Sequence, residues 1–152
     1  MRVALALLAC SAAAVAGCSG GGGEPEVRLT AEQWIAEADR ICAEYEGRLD
    51  ELAQPDDLDG LAKMAAEAEP IAEEGLDALR RLGPPDALEE RVDEWLARTA
   101  ENVRAIGELR EAAEAGDETR VQELASAGLD NEAAADRLAR DLGLDECAAS
   151  GP

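Results

Sequence analysis

From Thr30 onwards, apolar residues return every three or four positions in four successive stretches, divided by short breaks of Pro, Gly and Asp. This is the period of an amphipathic α-helix with one face turned inward. The first stripe is Trp34, Ile35, Ala38, Ile41, Cys42, Tyr45, Leu49 and Leu52. Thr30 and Gln33 stand ahead of it at the spacing of a capping box. Gln54-Pro55-Asp56-Asp57 ends this stretch and supplies the next cap. The second stripe, Leu58, Leu61, Ala65, Ala68, Ala72, Leu79 and Leu82, stops at Gly83-Pro84-Pro85. Pro70 lies in its middle, where it removes a donor and crowds the preceding turn, so a kink or a split is expected. The third runs from about Pro85 through Leu88, Val92, Trp95, Leu96, Thr99, Val103, Ile106 and Leu109, and yields at Gly116-Asp117. The fourth holds Val121, Leu124, Ala125, Gly128, Ala135, Leu138 and Leu142, with Gly143 as its C-cap. No stretch alternates with the period of a strand. The pattern predicts an all-α domain over residues 30–152, an antiparallel up-down-up-down four-helix bundle with its second helix kinked at Pro70. Facing Leu and Ala predict close helix approach with little internal cavity.

Ahead of the helices, Arg2 precedes an apolar, Ala-rich run that ends in small residues. That layout predicts a signal peptide over residues 1–17. A membrane span needs about 20 apolar residues, and this run is too short and too rich in Ala. Val15-Ala16-Gly17-Cys18 resembles the lipobox of bacterial lipoproteins. The resemblance implies cleavage after Gly17 and a diacylglycerol thioether on Cys18, with fatty chains such as palmitate. Two acyl chains hold a protein firmly to a membrane where one holds only marginally. Residues 18–29 then form the lipidated Cys and a Gly-rich tether, of which the ten residues 19–28 span roughly 15–20 Å as a flexible coil.

With Cys18 acylated and Cys10 removed with the signal, Cys42 and Cys147 remain. In an exported chain an even pair predicts a disulfide. An antiparallel bundle brings the end of the fourth helix beside the start of the first, within reach of this bridge. The absence of a Cys-x-x-Cys motif and of any His speaks against a redox dithiol.

Charge then narrows the chemistry. The chain has 14 basic and 35 acidic side chains, no His, no Phe and three aromatics, for a net charge of -21. Without His there is no Ser-His or Cys-His nucleophile pair and no imidazole base or ligand. The negative charge opposes nucleic acid and anionic headgroups. Loss of Arg2 with the signal leaves the mature chain at -22, and each helical segment carries -4 or -5. So even a coat predicts a solvated surface, laced by pairs such as Glu44–Arg48, Asp77–Arg81, Glu94–Arg98 and Asp136–Arg140.

The acidic motifs are weak as metal sites. An EF-hand loop through Asp57, Asp59 and Gly60 would place Pro55 and Ala66 at ligand positions, which neither can fill. Glu69/Glu73 and Asp86/Glu90 are one turn apart and read as solvated faces, with a weak divalent site as the rival. Lys63 and Ser126 are unmarked as a dyad. Asn102 and Asn131 fall near inward stripes, where a polar residue fixes register or meets a ligand. Trp34 and Trp95 read as core.

The stretches WIAEADRICA (34–43), LRRLGPP (79–85) and Leu142-Gly143-Leu144 before Cys147-Ala148 resemble small helical envelope lipoproteins of actinobacteria. Thirteen arginines against one lysine fit the G+C-rich genomes of that group. The resemblance implies an exported, disulfide-closed helical domain, and it transfers no catalytic residue. The expected protein is extracytoplasmic, lipid-anchored to the outer face of the cell membrane, monomeric and non-enzymatic, with no cofactor. Its expected role is a structural or interaction module for another envelope protein, with Pro70 and Gly75 opening a groove. The alternative is an anchored binder of a small ligand or divalent cation.

Overall fold

The computed structural model describes residues 29–148. The expected signal peptide, Cys10, Cys18 and the expected tether up to residue 28 lie outside the described residues, while Leu29 packs against the core. Within them the chain forms α1 (Ala31–Asp50), α2 (Leu58–Leu82), α3 (Glu89–Glu114) and α4 (Glu118–Leu142), with no strand.

Local chemistry sets most helix ends. Thr30 Oγ1 accepts from Gln33 N at 3.2 Å, and Gln33 Oε1 accepts from Thr30 N at 3.0 Å, closing the expected capping box. Asp57 caps α2 by accepting from Gly60 N at 2.7 Å, and Asp117 caps α4 by accepting from Arg120 N at 3.0 Å. Gly143 ends α4 in the left-handed region at φ 84°, a conformation that favours glycine. Two ends differ from expectation. α1 stops at Asp50, before Leu52, and α3 starts at Glu89 because a turn with Leu88 N bonded to Pro85 O (2.8 Å) follows the two prolines. Pro70 does not split α2, which continues through it to Leu82.

The helices form a bundle. α3 packs against both α2 and α4, and α2 packs against α1. The closing pair, α1 and α4, makes few close backbone approaches and is joined mainly through the segment after α4. There Cys42 and Cys147 form a disulfide with Cα atoms 5.1 Å apart, closing a sequence separation of 105. Asp39 Oδ1 accepts from Glu146 N (3.0 Å) and Cys147 N (3.4 Å), which fixes the same segment onto α1.

The core is concentrated at this end. Trp34 and Ala38 of α1, Leu79 of α2, Val92 and Trp95 of α3, and Ala139 and Leu142 of α4 are buried together with Leu144 and Cys147. Trp34 is fully buried, and its indole Nε1 has no acceptor. At the other end the buried residues are Ala65 and Ala68 of α2, Ala112 and Ala113 of α3, and Leu124 of α4.

Most expected ion pairs change partner. Arg48 reaches Glu74 on α2 at 2.8 Å, Arg80 takes Asp77 at 3.4 Å and Arg98 takes Glu101 at 3.2 Å. Asp136–Arg140 forms as expected, at 3.9 Å. An exposed arginine in so acidic a chain has several carboxylates within reach, and small geometric differences choose among them.

Candidate functional site

Between the two buried ends the bundle is not filled. After Trp95, α3 presents Val103, Ile106 and Leu109, which are only half-buried. The same space is lined by Leu76 and Leu79 beside Ala72 and Gly75 on α2, and by Leu124 beside Ala125 and Gly128 on α4. α1 also ends early, being 20 residues against 25 or 26 in its partners. The result is a cavity of about 400 Å³, lined mainly by aliphatic side chains. It is a cleft open to solvent rather than an enclosed space, and its volume falls within the roughly 300–1,000 Å³ of small-molecule sites.

The walls are held by specific contacts. Gly75 is buried under Tyr45, and a Cβ there would meet Tyr45 Cγ at 3.0 Å, so glycine lets the ring lie against α2. The Arg48 guanidinium sits over the same ring, 5.0 Å from its centroid. On the α3–α4 side Asn131 Nδ2 donates to Asn102 Oδ1 (2.6 Å) and to the Arg98 carbonyl (2.9 Å). Asn131 thus fixes the pairing of the two helices, while Asn102 also lines the cavity. Cys42, Cys147 and Trp95 line it as well, so the disulfide forms part of the wall.

The charged residues lining the cavity are all acidic: Glu46 from α1, and Glu132 and Asp136 from α4. α2 and α3 contribute no charged side chain to its lining. Burial pushes the Glu132 carboxyl above the usual carboxylate range, and the neighbouring Asp136 and Glu46 charges add to the shift. Burial also raises Asp136, against the opposing pull of Arg140. The Asp136 side chain is 14% exposed. These three acids mark the α1–α4 seam.

Other sequence candidates fall elsewhere. Asp57 serves as a helix cap. Glu69 accepts from Arg110 Nε at 3.1 Å and lies against Gly107, with Glu73 exposed. Lys63 and Ser126 are exposed on different helices. Trp34 belongs to the core alone. Among the described residues no group of three or more His, Cys, Asp or Glu side chains is arranged to hold a metal ion, and no helix is long and apolar enough to cross a membrane. Glu46, Glu132 and Asp39 were missed by sequence reasoning, and Asp136 was read only as the partner of Arg140. The available signal was Glu132 and Asp136, like charges one turn apart that flank the buried Ala135.

No known family model matches the chain, and no curated protein or solved structure matches it significantly.

Proposed function

We propose that this protein is an exported, lipid-anchored binder of an apolar small molecule. In this reading residues 1–17 are removed and an acylated Cys18 holds the chain on the outer face of the cell membrane. Residues 18–29 act as the tether, and the domain of residues 30–152 holds its ligand in the central cavity. The observation that carries the binding role is the cavity of about 400 Å³, with Val103, Ile106 and Leu109 half-buried along one wall. Apolar surface left in an interior space gains free energy when a ligand removes it from water, at roughly 25 cal/mol per Å². A cavity with few polar groups and no metal-binding arrangement favours an apolar occupant over a divalent cation.

The helix order that best suits this reading is up-down-up-down with a bend in α2 at Pro70. The reversed pairings of Arg91 with Asp141, Arg98 with Asn131 and Glu108 with Arg120 support antiparallel α3 and α4. Ala72, Gly75 and Leu76, just past Pro70, line the cavity, so a bend there shapes its wall. An interaction module for another envelope component remains the second reading, with this same concavity as the groove.

Native mass spectrometry of the protein released from its membrane tests both halves. The expected species begins at an acylated Cys18 and carries one apolar small molecule per chain, which an Ala72→Trp variant loses. An unmodified Cys18 overturns the anchor. A ligand-free chain, or one whose ligand survives the filled cavity, overturns the binding site.

A further inference from the structure

We propose that the ligand is a lipophilic amine, an apolar body with one protonated nitrogen, seated with its head against Glu132 and Asp136. This inference rests on the apolar-cavity reading and adds the charge of the ligand to it.

The cavity supplies two chemistries in one space. Val103, Ile106 and Leu109 offer an aliphatic wall, and the charges that line the cavity are all carboxylates. Those carboxylates come from the two helices of the loosest seam, α1 and α4, so they are gathered on one side. Facing Glu132 are Glu46 across the seam and Asp136 on its own helix, and Arg140 lies 3.9 Å from Asp136. Glu132 makes no ion pair or hydrogen bond among the described residues.

A half-buried carboxylate without a counter-charge costs free energy, as its raised pKa reflects. An ammonium group placed beside it recovers that cost, and a second carboxylate one turn away spreads over the same head. The same arrangement repels a fatty acid, whose carboxylate would add a further negative charge. A neutral apolar molecule gains the wall and leaves the carboxylates as they are. The geometry therefore ranks cationic above neutral above anionic ligands of equal chain length.

The test uses the full chain carrying Cys18→Ser, so that no attached acyl chain competes, with the disulfide intact. Decylammonium, decan-1-ol and decanoate are titrated at neutral pH below their self-association concentrations, each displacing a neutral fluorescent reporter. Expected affinities fall in that order, with decylammonium at least about tenfold tighter than decan-1-ol, equivalent to about 1.4 kcal/mol. In a Glu132→Gln/Asp136→Asn variant decan-1-ol affinity holds, and the preference for decylammonium drops to roughly threefold or less. Removing two exposed acids instead, by Glu67→Gln/Glu111→Gln, leaves the preference intact and so separates the seam from the general negative charge. Circular dichroism verifies each variant's fold, and Glu132→Gln alone replaces the double variant if that one fails to fold. Equal binding of all three chains overturns the inference and leaves the apolar cavity standing. Preference undiminished in the seam variant, or lost equally in the control, also overturns it. Failure of every compound, the reporter included, overturns the cavity reading and the inference together.

Discussion

Glycine in helix interiors separates two kinds of site in this molecule. Gly47 lies within α1, and a Cβ there meets nothing within 4 Å. Gly47→Ala should therefore raise stability by about 0.5–1 kcal/mol, the helix-propensity difference, read as a higher midpoint in chemical denaturation. A lower midpoint would mean that this position does more than continue the helix. Asn131 is the opposite case, since its amide serves two acceptors on α3. Asn131→Ala should cost about 1–3 kcal/mol by leaving Asn102 Oδ1 without its donor. Equal stability of the two proteins in urea would contradict this. Both asparagines were legible as inward polar residues, but only the contacts assign Asn131 to register.

At the scale of the elements, the segment after α4 closes the ring where the helices themselves do not. The Cys42–Cys147 bridge and the two bonds to Asp39 tie it to α1. Cys42→Ser/Cys147→Ser should lose up to about 4–5 kcal/mol by the chain-entropy relation for a loop of this length. The loss should appear first as faster amide exchange in the 144–148 segment, which the bridge holds together with the Asp39 bonds and the burial of Leu144. Unchanged exchange there would contradict its role as the tie. The bridge was legible because two cysteines remained to be paired once the N-terminal stretch was read as an export signal. Asp39 was not, since nothing in sequence brings it near residues 146 and 147. Helix caps were legible for the converse reason: Thr30, Asp57, Asp117 and Gly143 act on neighbours within a few residues. The hollow middle escaped the sequence because it arises between distant residues. Val103, Ile106 and Leu109 read as core by periodicity, yet they stay half-buried along the cleft between the helices.

For the whole molecule, the titrating carboxyls and the proposed ligand site meet at the α1–α4 seam. The raised carboxyls of Glu132 and Asp136 hold protons in the folded state that the unfolded chain has already released. Their contribution to stability therefore declines as pH rises from the ordinary carboxylate range through the raised values, and is recovered as pH falls again. Glu132→Gln should flatten that part of the stability–pH profile and raise the melting temperature at neutral pH. A profile identical to that of the native chain would show that Glu132 titrates normally. The rest of the negative coat behaves differently, being spread over exposed faces where added salt screens it. The absence of His argued against most enzymatic readings from the sequence alone, whereas the cleft proposed as a ligand site needed the fold.

The decisive measurement is an equilibrium titration of the disulfide-closed chain with a neutral apolar fluorescent reporter, run in parallel on an Ala72→Trp variant of intact helicity. Saturable binding of one reporter per chain, abolished when the indole fills the cavity, is the predicted result. No saturable binding, or binding that the filled cavity leaves undiminished, would contradict it.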